Sequence, residues 1–144
     1  MASFTIKKTI AAPPETVFAV LTDYVSYSDF TPIRKVEIEK EGVPAPNGVG
    51  TIRVLSMIGP PLREEIVEFE PPSKFVYRLL SGAPLKDHVG TVTLAADGAG
   101  TLMVYTVDTT PTVPVGGGIV VAIVKRSVGQ LASGVAKEAE RRSQ

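Results

Sequence analysis

Apolar and polar residues alternate over the first ten positions: Phe4, Ile6, Lys8 and Ile10 share one parity and Thr5, Lys7 and Thr9 the other. A period of two predicts a first strand. Pro13-Pro14-Glu15 then opens a helix, since proline and an acid are well tolerated in a first turn. Val17, Phe18, Val20 and Leu21 form its apolar stripe, and a second short helix is predicted from Tyr24 to Phe30, ending before Pro32. The period of two returns at Val36 and Ile38, and further strands are predicted at Thr51–Met57, Leu62–Phe69, Phe75–Leu80, His88–Ala95 and Thr101–Thr109. Gly42–Gly48, Gly59-Pro60-Pro61, Pro71-Pro72-Ser73, Gly82-Ala83-Pro84 and Asp97-Gly98 supply the turns between them. This short spacing predicts sequential antiparallel hairpins. A last helix, Ile119 to Arg141, carries Val120, Ile123, Val124, Val128, Leu131, Val135 and Ala139 on one stripe.

The order of elements predicts an α+β fold in a single domain, residues 1–144. One face of the sheet must be buried, and one long helix is available to cover it. At about 1.5 Å per residue that helix is long enough to cross the sheet. A single helix on a curved sheet leaves unfilled space, so an internal cavity lined by apolar side chains is expected.

Charge and composition narrow the chemistry. Fifteen Lys and Arg balance fifteen Asp and Glu. A net charge of zero argues against nucleic acid, which calls for a basic surplus. There is no cysteine, which removes thiol and disulfide chemistry, and the single His88 rules out a multi-histidine metal centre. No cofactor or metal is expected. The N-terminal residues lack the apolar stretch of a signal peptide. The most apolar run, Val113 to Val124, is shorter than the roughly 20 residues of a membrane span. A cytoplasmic protein without stable membrane insertion is the expectation, as monomer or homodimer.

Strand parity points Tyr77 and Leu79 inward with Phe75, and His88 and Val92 with Leu94. Met103, Tyr105 and Val107 form the apolar set on the last strand. Two phases, Leu62/Ile66 and Val67/Phe69, fit the Leu62–Phe69 strand equally well. The expected ligand-lining set comprises Phe18, Tyr27 and Phe30 from the short helices, with Val54, Tyr77, Leu79, His88, Val92, Met103 and Tyr105 from strands. Val120, Ile123 and Val124 complete it from the last helix. His88 and the tyrosine hydroxyls are its polar members, suited to orienting a ligand. Arg63-Glu64-Glu65, Lys35, Glu37 and Arg53 read as cross-strand pairs on the wet, convex face, with an inward Glu65 as the alternative. Gly116-Gly117-Gly118 lacks the Gly-Lys-Ser/Thr of a phosphate loop and reads as a mobile entry to the helix.

The chain resembles the polyketide cyclase/dehydrase-type branch of the START-like (SRPBCC) superfamily, whose helix-grip fold is also that of Bet v 1-like proteins. The resemblance spans nearly all of the chain. It is carried by Ala12-Pro13-Pro14-Glu15-Thr16-Val17-Phe18 leading to Asp23-Tyr24, and by Gly48-Val49-Gly50-Thr51. Glu68-Phe69-Glu70-Pro71-Pro72 before Phe75-Val76-Tyr77-Arg78, and Gly100-Thr101, complete it. Many relatives place a tryptophan where the second short helix ends; Phe30 stands there in this chain. The resemblance implies a cavity for a lipid-like or polycyclic molecule. Binding or transport of a hydrophobic small molecule is therefore the expected function, with no catalytic residue assigned. The alternative is a cyclase or dehydratase acting on an apolar substrate in the same cavity. Converging titratable groups inside the cavity would favour the alternative.

Overall fold

The computed structural model describes residues 1–144. The elements are β1 (Ala2–Ile10), α1 (Pro14–Leu21), a 3-10 helix η1 (Tyr24–Asp29), β2 (Lys35–Lys40), β3 (Ile52–Ser56), β4 (Leu62–Glu70), β5 (Lys74–Ser81), β6 (Leu85–Asp97), β7 (Gly100–Pro111) and α2 (Gly117–Arg142). Seven antiparallel strands form one curved sheet in the order β1-β7-β6-β5-β4-β3-β2. From β2 to β7 each strand pairs with the next, as the short turns predict, and β1 returns to pair with β7. This is the helix-grip arrangement: α2 packs against β1, β7 and α1.

The core lies between the inner face of the sheet, α1 and the C-terminal part of α2. Val128, Leu131, Ala132, Val135 and Ala139 are buried there. The apolar stripe of α2 continues toward its N-terminus through Val124, Ile123 and Val120, but those turns are not buried. By length and composition α2 is apolar enough to cross a membrane, over a longer stretch than the Val113–Val124 run alone. Gly116, at φ 83°, takes the left-handed conformation that turns the chain into the helix. Leu131→Asp would carry a charge with no partner into the core. It is expected to unfold the domain, whereas Lys137→Ala on the exposed side should melt as wild type does. Equal melting temperatures for the two variants would contradict this helix phase.

Two expectations about the strands need correction. First, β4 uses both of its candidate phases. Glu64 and Ile66 are buried with Leu62 beside them, then the register shifts between Ile66 and Glu68, and Phe69 packs inward against Phe18 at 5.3 Å. A β-bulge inserts one residue and so reverses the alternation. Second, the convex-face reading holds for Lys35, Glu37, Arg63 and Glu65. Arg63 pairs with Glu39 at 2.7 Å and Arg78 with Glu65 at 2.6 Å, all partly exposed. It fails for Arg53 and Glu64. Arg53 is 1% exposed and Glu64 5%. β3 has the opposite phase to the one expected: Arg53 and Leu55 point inward, while Val54 lies on the outer face, half-buried.

Candidate functional site

A cavity of about 340 Å³ lies between the inner face of the sheet and the N-terminal half of α2. Fourteen of its 21 lining residues are hydrophobic, so its walls favour an apolar body. Leu55, Leu62, Leu79, Val124 and Val128 are typical of those walls. Ile58, Pro60, the segment Gly82–Leu85 and Ile123 form the rim, since Ile58 and Ile123 line the cavity and are also largely exposed.

The charged residues, the histidine and the tyrosines of the cavity lie on β3 to β7, with Ser127 facing them from α2. Arg53 and Glu64 stand directly opposite each other in the β3–β4 ladder. Arg53 donates from Nε at 3.1 Å and from Nη2 at 2.8 Å, both to Glu64 Oε1. Its Nη1 donates to the Tyr27 hydroxyl at 3.3 Å, and that hydroxyl donates onward to the Leu21 carbonyl. The guanidinium also lies 4.8 Å from the ring centroids of Tyr24 and Tyr77, within cation–π range. Burial opposes the charge on Arg53, but the Glu64 carboxylate and the surrounding phenols outweigh it and hold its pKa well above the ordinary value. The ion pair is thus stabilised by contacts on several sides, which a buried pair requires.

Next to the pair, the Tyr77 and Tyr105 hydroxyls share a hydrogen bond of 2.5 Å. Burial raises the pKa of both phenols, so they remain neutral at physiological pH. Tyr77 can lie flat across β6 because Gly90 faces it: a Cβ at Gly90 would stand 2.2 Å from Tyr77 Cζ. His88 Nδ1 is 2.9 Å from Thr109 Oγ1 on the neighbouring strand. Burial lowers the His88 pKa, and the nearby Glu64 carboxylate counters only part of that, so the imidazole is neutral at pH 7. The sign of the linkage follows. With the folded pKa below the unfolded one, this contribution to stability is present above about pH 6.5 and is lost as pH falls through the folded value.

Two polar atoms in this cluster remain free. Glu64 Oε2 accepts no hydrogen bond within the protein, and His88 Nε2 has no partner either. Neither is sealed off, because no fully buried side-chain nitrogen or oxygen lacks a partner. Both belong to residues that line the cavity.

The sequence-derived lining set divides accordingly. Tyr77, Leu79, His88, Tyr105, Ile123 and Val124 all face the cavity. Val54 does not, owing to the phase of β3. Phe18, Val92 and Met103 are buried in the core, where α1 packs on β6 and β7 and α2 on β7, and do not line the cavity. Tyr27 is buried behind Arg53 and reaches the cavity only through it. Phe30 packs edge-on against Tyr27 at 5.9 Å and borders a separate open groove between β1 and α2. Val120 is partly exposed on the first turns of α2 and is not part of the lining. Sequence reasoning missed Arg53, Glu64 and Leu55. The available signal was the parity that Arg53 shares with Leu55 and Met57, and Glu64 with Leu62 and Ile66.

The family model described as polyketide cyclase / dehydrase and lipid transport matches residues 1–140. The chain belongs to that family. Among solved structures, this family member superimposes on the Zhui aromatase/cyclase from Streptomyces sp. R1128 with a TM-score of 0.84 at 25% identity, covering 99% of this chain and 96% of that one. A START superfamily protein from Mycobacterium smegmatis gives 0.83 at 16% identity, over 96% and 97% of the two chains. The di-domain aromatase/cyclase StfQ of the steffimycin biosynthetic pathway gives 0.80 at 13% identity, with 97% of this chain matching 51% of that one. No curated protein matches the sequence. Membership in the polyketide cyclase/dehydrase and lipid transport family fits a hydrophobic ligand-binding role.

Proposed function

We propose that the protein binds a neutral, hydroxyl-bearing polycyclic or polyketide-like molecule in its cavity and holds it without chemical change. The observation that carries this reading is the Arg53–Glu64 pair inside apolar walls. Each guanidinium nitrogen of Arg53 already donates one hydrogen bond, to Glu64 or Tyr27, so the one unpartnered heavy atom of the pair is an acceptor, Glu64 Oε2. A ligand hydroxyl satisfies that acceptor, whereas a ligand carboxylate meets like charge at low dielectric, a contact that costs several kcal/mol. The cavity therefore selects phenols and alcohols over fatty acids of equal apolar area.

A matched pair of probes tests this: 2-naphthol and 2-naphthoate share one apolar body. Calorimetric titration should show 2-naphthol binding at least about tenfold tighter, with a matching thermal shift. Equal affinity, tighter binding of 2-naphthoate, or uptake of neither would refute the proposal.

His88 supplies the second polar contact through Nε2. The loss of one neutral hydrogen bond removes roughly 0.5–1.5 kcal/mol, so His88→Ala should weaken 2-naphthol binding by about tenfold or less. An unchanged dissociation constant would remove His88 from the site.

One observation favours a second reading. A neutral imidazole with a free Nε2, a carboxylate oxygen, two phenols and a guanidinium converge on one cavity, which is the set of groups that proton transfer in a cyclisation or dehydration employs. In that reading His88 accepts the proton. Removing a general base lowers turnover by about 100-fold or more with affinity nearly unchanged, whereas removing a binding contact does the reverse. Turnover of a polyketide-like substrate by wild type, abolished in His88→Ala at constant affinity, would establish the enzyme.

A further inference from the structure

We infer that the rim of the cavity mouth is a docking surface for an anionic lipid membrane. Four large aliphatic side chains stand in solvent there: Ile58 is 97% exposed, Val115 86%, Ile119 69% and Ile123 61%. Ile58 and Ile123 line the cavity and so mark its opening. Ile119 lies one turn before Ile123 on the same stripe of α2, and Val115 immediately precedes the glycine that turns the chain into that helix. The segment leading to α2 is fastened to the opposite rim, where Thr112 N donates to the Pro84 carbonyl at 2.9 Å. Isolated exposed aliphatics need no explanation, but several around one opening mark an interaction site.

The charge around this patch identifies the occupant. The chain as a whole is neutral, yet the rim segments 57–62, 79–87 and 111–131 carry Lys86, Lys125 and Arg126 against a single carboxylate, Asp87. None of these cations is in an ion pair. Arg126 falls seven residues after Ile119, two turns along the same outer face of α2. An apolar helix start followed directly by Lys125 and Arg126 matches the layering of a membrane surface, with acyl chains below and anionic headgroups above. A second copy of the chain fits poorly, because a two-fold contact would bring these unpaired cations together with too few carboxylates to neutralise them. Docking places the mouth against the bilayer, where an apolar ligand can transfer without crossing water. That purpose rests on the proposed ligand role, while the surface itself does not.

The test uses the full chain and sedimentation with vesicles of phosphatidylcholine, alone or with about 30 mol% phosphatidylglycerol. The chain should pellet with the anionic vesicles, weakly with the neutral ones, and progressively less as salt rises from about 0.05 to 0.5 M. Val115→Asp combined with Ile119→Asp should reduce the partition coefficient by more than about tenfold on both vesicle types. Lys125→Glu combined with Arg126→Glu should do so on the anionic vesicles alone. None of these four residues lines the cavity, so 2-naphthol titrations in vesicle-free buffer should be unchanged in both variants. Failure of wild type to pellet, or full pelleting of either variant, overturns the inference. So does a stable dimer in vesicle-free buffer that Ile119→Asp dissociates, which would make the patch a self-association surface. Vesicle binding without 2-naphthol uptake would instead overturn the ligand reading and leave the docking surface standing.

Discussion

Replacing Arg53 by methionine is expected to destabilise the domain by about 3–5 kcal/mol, because it strands the Glu64 carboxylate in a buried, apolar setting. For a chain of this size that lowers the melting temperature by roughly 10 °C or more. Part of the loss is the guanidinium's stacking on Tyr24 and Tyr77, worth about 0.5–2 kcal/mol. The double variant Arg53→Met/Glu64→Leu removes both charges and should recover most of the stability, since a buried pair replaced by apolar residues of similar volume is often neutral or better. Denaturant titration of wild type, the two single variants Arg53→Met and Glu64→Leu, and the double variant gives the coupling energy directly. A single variant as stable as wild type would mean that the pair is hydrated in solution.

Glu64→Gln has the largest expected effect on binding. The substitution keeps the shape of the side chain and the contact with Arg53 but leaves the guanidinium without its counter-charge. The cavity then presents a net cation, and the ligand preference should reverse. 2-Naphthoate is expected to bind about tenfold tighter than 2-naphthol, a swing of about 100-fold or more against wild type. Titration calorimetry of both ligands with both proteins measures this. A preference that does not move would show that Glu64 does not determine ligand charge. The same reversal would also appear as thermal stabilisation of the variant by 2-naphthoate, because a ligand that binds the folded state raises its melting temperature by mass action.

The strands were legible because their ends are chemical. Each turn between β3 and β7 carries glycine, proline or both, and the alternation between turns is clear. The inner phase of a strand was legible where one parity is plainly apolar, as for Tyr77, His88 and Tyr105. It failed at β3, where Ile52 and Val54 make the outer parity look the better core face than Arg53 with Leu55. Arg53 and Glu64 each read as a surface charge when considered alone. Their burial becomes intelligible only when Arg53 is placed opposite Glu64 and beneath Tyr24, Tyr27 and Tyr77, a juxtaposition that involves residues far apart in sequence. Likewise, the apolar stripe of α2 runs past the part of the helix that the core buries, so periodicity alone overstated how much of it packs. The second short segment forms a 3-10 helix, a distinction that its residue pattern did not carry.

The topology also orders the events of folding. From β2 to β7 every strand meets its partner across a turn or short loop, so those hairpins close locally and at little entropic cost. β1 differs: Ala2 pairs with Thr109 and Ile10 with Thr101, so β1 has no partner in the sheet until residues 100–111 have left the ribosome. Until then both sides of β1 are unpaired, and one stays so at the edge of the finished sheet, where Lys7 and Lys8 give it the charge that discourages pairing with other chains. Loop-closure entropy grows only with the logarithm of length, so the long wait costs the finished protein little stability. It does make the sheet's final closure depend on the meeting of β1 with β7, two strands far apart in sequence.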